Sequence, residues 1–193
     1  MNHSWFGLFF YSTYTQNNTV YGNTVFKQGD GTHAFTDAWG FVSTYADYTN
    51  FSYNNVSYGI GSGVGLWVTS DHNTVQGNFV HNNGLHGVNN GQDTSDYQTV
   101  YNNTIYANTY AGVLLDGADY NNVSYNNISY NGAASYDLYL GTSATYNNIT
   151  GLWDSIGGAS APHRVTKLPG SGGVWEGAPQ RVMVPYTKPV TVL

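Results

Sequence analysis

Residues 120–132 read YNNVSYNNISYNG, so that the group Tyr-Asn-Asn, followed by Val or Ile and then Ser, returns after five residues. Asparagine tolerates left-handed backbone conformations, and its amide bonds nearby backbone groups, both of which suit a tight corner. Valine and isoleucine favour extended backbone. The stretch therefore predicts very short strands separated by asparagine corners.

A longer repeat of about 24 residues contains this five-residue interval. A polar residue two positions before a strand residue opens each unit, at Asn18, Thr49, Asn73, Gln98, Asn121 and Asn147. The pattern returns five residues later, at Asn23, Asn54, Asn78, Asn103 and Asn126, and a third row holds Asn83, Asn108 and Asn131. A Gly-apolar-x-apolar segment such as Gly63–Leu66 then follows. Because no apolar period of 3.6 residues indicates a helix, each unit predicts three short strands, which form one coil of a parallel β-solenoid.

Stacked coils place equivalent residues about 4.8 Å apart. We therefore expect the asparagines of each row to hydrogen-bond one another as ladders. The β-branched residue two positions after each ladder position is expected to point inward and form the core.

The motif N-T-V-x-x-N-x-V/I, followed by N-G-x-x-G-V-x-L, covers roughly residues 5–150. It resembles the parallel β-helix repeat family, the right-handed β-helices that include NosD-like and pectate-lyase-like proteins. The resemblance implies an all-β, single-stranded right-handed parallel β-helix, here of about six coils. Members include polysaccharide lyases, hydrolases, phage tailspikes and noncatalytic surface proteins, so the fold alone does not select a function.

Two segments depart from the repeat. The first interval, 31 residues between Asn18 and Thr49, indicates an insertion around residues 29–40, which predicts a loop on one face. All five prolines and four of the five basic residues lie in 153–193. We therefore divide the chain into a β-helix, residues 1–152, and a Pro-containing C-terminal segment, residues 153–193. That segment is interpreted first as a cap over the last coil, with an interdomain linker or a sequence foreign to the solenoid as alternatives.

The first residues read as part of a coil already under way. Gly7 and Leu8 match the third strand of a unit, so the first coil is not covered by a recognisable cap. This indicates either a piece of a longer solenoid or an end that a partner covers. End-to-end self-assembly is a hypothesis that follows from the second reading.

Composition narrows the partners and the compartment. Only 8% of residues are charged, the net charge is −6, and Lys27 is the single basic residue before Arg164, which argues against nucleic acid. Without cysteine there is no disulfide framework and no thiolate metal site. No apolar run is long enough to span a membrane. The N-x-Ser/Thr sequons predict an N-glycosylated extracellular or cell-surface protein, and they lie at Asn2, Asn17, Asn50, Asn55, Asn102, Asn122, Asn127 and Asn148.

An acidic and aromatic corner is the main candidate site. Four carboxylates precede ladder positions by two residues, at Asp47, Asp71, Asp96 and Asp119, and an aromatic row follows them, at Tyr48, His72, Tyr97, Tyr120 and Tyr146. Three interpretations stay open. Each Asp could form an Asx-turn with its own backbone while each Tyr covers the sheet. Alternatively, the corner binds carbohydrate through Asp47, Tyr48, Asp71, Asp96, Tyr97, Asp119 and Tyr120. Catalysis would use Asp71, Asp96 and Asp119 with His72 nearby, since paired carboxylates hydrolyse glycosides.

Metal binding is weakly indicated. His81, His86 and His33 could approach one another, but no HExxH-type spacing supports a site, and solvated corner residues are the preferred interpretation. The NosD resemblance implies copper, yet the chain has no cysteine and only two methionines, so copper is not carried over. We therefore expect no cofactor, with calcium as the one ion that the oxygen-rich corner could take.

Two classes of function follow from these observations. The preferred one is an extracellular or cell-surface module that is noncatalytic, glycosylated, and structural or carbohydrate-binding. Its partner would be a carbohydrate or another cell-surface polymer. The alternative is a polysaccharide-degrading enzyme that uses the Asp row, although the near absence of Lys and Arg argues against an anionic substrate.

Overall fold

A computed structural model describes residues 6–29, 38–91, 95–132, 136–141, 144–152, 165–167 and 190–192. In these parts the chain forms nineteen strands, most of them three residues long, and no helix. The prediction of an all-β fold is therefore confirmed.

The strands form three sheets, and each of the first seventeen strands goes to the next sheet in turn. The first sheet contains β1 (Phe6–Tyr11), β4 (Trp39–Thr44), β7 (Val64–Trp67), β10 (Val88–Asn90), β13 (Val113–Leu115), β16 (Leu138–Leu140) and β18 (Val165–Lys167). The second sheet contains β2 (Thr19–Tyr21), β5 (Asn50–Ser52), β8 (Thr74–Gln76), β11 (Thr99–Tyr101), β14 (Asn122–Ser124), β17 (Asn148–Leu152) and β19 (Val190–Val192). The third sheet contains β3 (Thr24–Phe26), β6 (Asn55–Ser57), β9 (Phe79–His81), β12 (Thr104–Tyr106) and β15 (Asn127–Ser129).

Successive strand triplets stack as the turns of a parallel β-solenoid. In the described parts, the five triplets from β2–β3–β4 to β14–β15–β16 each give one strand to every sheet, which is slightly fewer than the predicted six coils. Strands of successive turns pair in parallel, for example β5 with β8 and β6 with β9. β1 pairs with β4 in the first sheet, so Gly7 and Leu8 do lie in the third strand of a coil.

The middle residue of each three-residue strand from β2 to β15 in the second and third sheets points into the core, as predicted. Val75 aligns with Phe51 on one side and Val100 on the other, and all three are fully buried. The equivalent row in the third sheet runs through Val56 and Val80 in the same way. The β-branched residues thus stack on their counterparts in columns, and this stacking removes them from water along the whole solenoid.

A glycine at or just before the start of the first-sheet strands β1, β4, β7, β10 and β13 allows the chain to pass close to the core. A Cβ atom on Gly63 would lie 2.3 Å from Val80 Cγ1 and 2.8 Å from the carbonyl oxygen of Gly87. Any side chain at this position would collide with backbone that cannot move aside. The Gly-apolar-x-apolar motif therefore reports a steric requirement at the third corner.

Asparagine ladders tie the corners of successive turns together, which confirms the prediction. Asn78 Oδ1 accepts hydrogen bonds from the backbone N–H of Asn54 at 2.9 Å and from its side-chain amide at 3.0 Å. The Asn78 amide donates in turn to the Phe51 carbonyl at 2.7 Å and to Asn103 Oδ1 at 3.0 Å. One side chain therefore connects three turns, and in all three rows a side-chain oxygen accepts the backbone N–H of the preceding turn.

The left-handed residue at each corner is the one before the ladder asparagine. Tyr53, which precedes Asn54, has φ 54°, and Tyr58 has φ 58°. The expectation that the ladder asparagines themselves take this conformation is wrong. The left-handed backbone directs the N–H of Tyr53 to the Gln76 carbonyl at 3.0 Å, and this bond helps to offset a conformational cost of roughly 1–2 kcal/mol.

The two predicted departures from the repeat, the insertion and the C-terminal segment, lie largely outside the described residues. The predicted insertion lies between β3 and β4, and its residues 30–37 fall outside the described residues. Most of residues 153–193 do so as well, and the division at 152/153 stays a prediction. β18 pairs in parallel with β16, and β19 pairs antiparallel with β17. At the other end, β1, β2 and β3 each pair on one side only within the described parts, and end-to-end association stays a hypothesis.

Replacing Asn78 by alanine tests the interior of a ladder. It leaves the buried N–H of Asn54 without its partner and removes the bond to the Phe51 carbonyl, so we expect a loss of about 2 kcal/mol or more in the free energy of unfolding. Urea denaturation measures it. The matched control is Asn23→Ala, at the exposed first rung, where we expect a loss below about 1 kcal/mol. Equal losses in the two variants would contradict the structural role given to the ladder interior.

Candidate functional site

The candidate corner lies between the first and second sheets and carries an aromatic column, formed by Tyr48, His72, Tyr97, Tyr120 and Tyr146. All five residues have left-handed backbone, with φ between 54° and 57°. This shared conformation projects each side chain outward at the same point of successive turns. About half of each tyrosine side chain is exposed, from 47% at Tyr97 to 61% at Tyr146.

The rings of the column are stacked nearly parallel. Neighbouring ring centroids lie 4.9–5.1 Å apart with interplanar angles of 5–16°. The spacing equals that of neighbouring strands, because each ring belongs to one turn. Tyr97 has His72 on one face and Tyr120 on the other. Interior rings therefore present their edges, and not their faces, to a ligand.

The predicted carboxylate row forms an aspartate ladder behind the column, made by Asp47, Asp71, Asp96 and Asp119. Each Oδ1 accepts the backbone N–H of the equivalent residue in the next turn, at 2.8 Å from Asp71 to Asp47 and from Asp96 to Asp71. The ladder ends where Asp119 Oδ1 accepts the Thr145 N–H at 2.6 Å. The interpretation as local Asx-turns is therefore replaced by bonds between turns. These bonds run in the opposite direction to those of the asparagine ladders.

The charges of the ladder perturb one carboxylate. Burial raises the pKa of Asp96, the N–H donated by Asp119 lowers it, and the charges of Asp119 and Asp71 raise it, for a net increase. The phenol of Tyr120 also has a raised pKa, because of desolvation and the neighbouring phenols and carboxylates. The Tyr120 phenol therefore stays neutral at physiological pH. Neutral phenols beside carboxylates can both donate and accept hydrogen bonds.

The carboxylates of the corner repeat one hydrogen-bonding geometry from turn to turn. A hydrolase keeps one carboxyl protonated as acid and the other ionised, in two different environments. Here Asp71, Asp96 and Asp119 occupy equivalent positions, and each uses Oδ1 to bind backbone. His72 lies within the column between Tyr48 and Tyr97. The arrangement is suited to contact a repetitive ligand.

The histidines proposed as weak metal candidates have other partners. His81 lies with Nε2 3.2 Å from Asn55 Oδ1 and Nδ1 2.9 Å from Asn82 Nδ2, and its ring stacks on Tyr106. His86 Nδ1 accepts the Ala111 N–H at 3.1 Å. Burial lowers the pKa of both, that of His86 to about 4. The interpretation of these two as solvated residues is therefore wrong, while His33 lies outside the described residues.

The sequons fall into two groups. Asn17, Asn102 and Asn148 are exposed. The others that the structure describes are partly buried, and the serine two residues after each is at most 4% exposed; they are Asn50, Asn55, Asn122 and Asn127. Asn2 lies outside the described residues. The first group therefore presents the more accessible amides in the folded chain.

The sequence analysis missed an aromatic groove on the outer face of the first sheet, lined by Phe9, Tyr11, Trp39, Thr44, Trp67 and apolar neighbours. It encloses about 280 Å³. The signal is the segment WGFVST of β4, which is buried throughout where an alternating pattern would leave one face exposed. Such a strand has apolar neighbours on both faces.

His86 makes the stability depend on pH. Its pKa is about 4 in the folded chain against an ordinary 6.5, so protons bind preferentially to the unfolded chain. The stabilisation is complete above pH 6.5 and is lost as the pH falls toward 4, by about 3 kcal/mol at most. His86→Asn keeps an acceptor for the Ala111 N–H. We expect the free energy of unfolding of this variant, measured by urea denaturation, to change less between pH 6.5 and pH 4 than that of the wild type. His72→Tyr is the control and should keep the full dependence; a flat wild-type profile would contradict the assignment.

Comparison with known proteins assigns the family. The model of the family described as periplasmic copper-binding protein (NosD) matches residues 9–151. No curated protein and no solved structure matches the chain. The match covers the five complete turns described above.

The family description corrects the cofactor prediction. We expected no cofactor, with calcium as the exception, and this is wrong because the matching family is a copper-binding one. Copper sites use thiolate, thioether or imidazole ligands. The described residues do not fit such a site, because they contain no group of three or more His, Cys, Asp or Glu side chains that could hold a metal ion. Among them, His81 is hydrogen-bonded to Asn82 and His86 accepts the Ala111 N–H.

The family also bears on location. A periplasmic family agrees with the predicted location at the cell surface or outside the cell and confirms it. Among the described residues, no helix is long and apolar enough to cross a membrane. The stacked parallel turns, the corner ladders and a match over residues 9–151 lead to one assignment: the chain belongs to the NosD family of periplasmic copper-binding proteins.

Proposed function

We propose that this member of the family is a noncatalytic module that binds a neutral polysaccharide along the aromatic column and the aspartate ladder. The observation that supports this most is the regularity of the column. Five aromatic side chains lie about one strand spacing apart, and the tyrosines among them are roughly half exposed. A polymer with a regular repeat can make the same contact at each turn.

The chemistry of the corner favours hydroxyl groups. Each turn contributes one phenol and one carboxylate, so a row of phenol donors through Tyr97 and Tyr120 runs alongside the row of aspartate acceptors. At the two ends, Tyr48 and Tyr146 have a column neighbour on one face each. Their other faces suit the apolar face of a sugar ring.

The charge of the corner argues for a neutral ligand. The ladder is acidic, and Lys27 is the one basic residue before Arg164. An anionic polysaccharide would be repelled by the four carboxylates of the ladder. A neutral glycan avoids this cost and can donate hydroxyl hydrogens to the free carboxylate oxygens.

Degradation of a polysaccharide is the second candidate, and the raised pKa of Asp96 is the observation that favours it. A carboxyl that holds its proton more tightly is a better general acid. The equivalence of the neighbouring aspartates, and their use as acceptors for backbone N–H groups, favour the binding function.

We further propose that any N-glycosylation is confined to Asn17, Asn102 and Asn148, which are exposed. The partly buried sequons, at Asn50, Asn55, Asn122 and Asn127, present less of their amides once the turns have stacked. Attached glycans would then lie at the corners of the solenoid, because none of these three asparagines occupies the middle of a strand.

A panel of neutral and acidic polysaccharides tests the proposal, with binding and released chain ends followed together. We expect binding to a neutral member, no released ends, and at least a tenfold weaker affinity in Tyr97→Ala, since aromatic contacts contribute about 1.4 kcal/mol or more. The matched control is Tyr101→Ala, a partly exposed tyrosine of β11 outside the column, which should bind normally.

Asp96→Asn separates the two candidate functions. Its amide oxygen can still accept the Asp119 N–H, so the variant should fold and bind. Released chain ends that disappear in this variant would establish the enzyme in place of the binding module. Neither binding nor release with any polysaccharide would leave a structural protein.

A further inference from the structure

The aromatic groove is built from three neighbouring strands. Tyr11 of β1, Thr44 of β4 and Trp67 of β7 are direct cross-strand neighbours. The same register places Phe9 beside Val42. These side chains alternate with core residues such as Phe41, so they point away from the core and form the outer face of the first sheet.

The floor of the groove is rigid and its rim is open. Trp39 is only 2% exposed, and its ring covers Gly65, where a Cβ atom would lie 2.1 Å from Trp39 Cζ3. The rings of Trp39 and Trp67 have centroids 4.6 Å apart. At the rim, Phe9 is 43% exposed and Tyr11 is 62% exposed. A ligand can therefore enter against a fixed aromatic surface.

Thr44 lies in the groove with an unused hydroxyl. Its side chain is 6% exposed, and among the described residues its Oγ1 has no hydrogen-bond partner. Buried hydroxyls in proteins nearly always have a partner, because leaving one unpaired is costly. Thr44 lines the groove, and rotation of its side chain about χ1 turns the hydroxyl to the open side, where a ligand can bond it. The hydroxyl therefore indicates a ligand that carries a hydrogen-bonding group.

We propose that the aromatic groove binds one neutral sugar ring, with a ring hydroxyl bonded to Thr44 Oγ1. Aromatic faces match the C–H face of a pyranose, and Thr44 supplies the polar contact that fixes its orientation. None of the described residues that line the groove is charged, which excludes a matched partner for a sugar acid. The volume of about 280 Å³ lies at the lower end of ligand pockets, near roughly 300 Å³, and suits a single ring.

This inference does not rest on the polysaccharide proposal, because a single ring needs only the groove. The two surfaces share the connection between β4 and β5, since Tyr45 lines the groove and Tyr48 begins the column. They can be tested separately. Substitutions at Thr44 and Tyr11 change the groove and leave the column intact, so they assign any monosaccharide binding to one of the two surfaces.

The test is a titration with methyl glycosides of glucose, galactose, mannose and N-acetylglucosamine, with methyl glucuronide as the charged comparison. Tryptophan emission and calorimetry report binding, because Trp39 and Trp67 lie in the groove. We expect saturable binding of at least one neutral glycoside. Thr44→Val should weaken it at least tenfold with an equal or higher Tm, since the variant removes an unpaired hydroxyl.

Matched variants make the result specific. Thr44→Ser keeps the hydroxyl and should bind normally, as should Thr99→Val on β11, outside the groove. Tyr11→Ala at the exposed rim should weaken binding without unfolding the chain, and it serves if Thr44→Val does not fold. The proposal would be overturned if no neutral glycoside bound saturably, or if binding were unchanged in both Thr44→Val and Tyr11→Ala. Tighter binding of the glucuronide, or binding of indole but of none of the sugars, would overturn it as well.

Discussion

Each turn of this solenoid is attached to the next by side-chain oxygens that accept backbone N–H groups at the corners. The strands are mostly three residues long, so a strand pair alone provides few hydrogen bonds. Corner backbone would otherwise be buried without partners, at about 1–3 kcal/mol for each group. Asn54, Asn78 and Asn103 remove that cost by accepting from one turn and donating back to it. The short strands are stable because the ladders continue the hydrogen bonding across the corners.

The same constraint determines the surface. A ladder requires equivalent residues to be in register, and register places the neighbouring side chains in columns as well. Tyr97 and Tyr120 stack with their ring planes 6° apart because Gln98 and Asn121 beside them are bonded. Repetition along the axis is thus a consequence of stability, and a repetitive polymer is the ligand that best uses it. The aromatic groove lies where the three-residue strand pattern is interrupted, at the six-residue strands β1 and β4.

Much of the fold could be predicted from the sequence, because the interval between a polar residue and a β-branched one fixes both the corner and the inward direction. The column and the aspartate ladder followed, since Asp96 and Tyr97 stand directly before a ladder position. The direction of the aspartate bonds could not be predicted, as sequence does not say whether the nearest N–H belongs to the turn before or after. The left-handed tyrosines were missed because Tyr has no intrinsic preference for that conformation.

The groove could not be predicted from the sequence either. It depends on Tyr11, Thr44 and Trp67, which are far apart in the chain and meet only through the register of three strands. No sequence motif reveals that the Thr44 hydroxyl lacks a hydrogen-bond partner among the described residues. The cofactor prediction failed for a different reason: it was drawn from missing soft ligands, and the family description overturns it.

Amide hydrogen exchange of the folded protein, followed by NMR, tests the ladders most directly. The backbone amides of Asn54, Asn78 and Gln98 donate to side chains and not to strands. If the ladders hold the turns together, these corner amides exchange as slowly as the strand amides beside them, such as that of Val75. Exchange as fast as at the exposed turn around Tyr14 would contradict the account, because the corners would then open independently of the sheets.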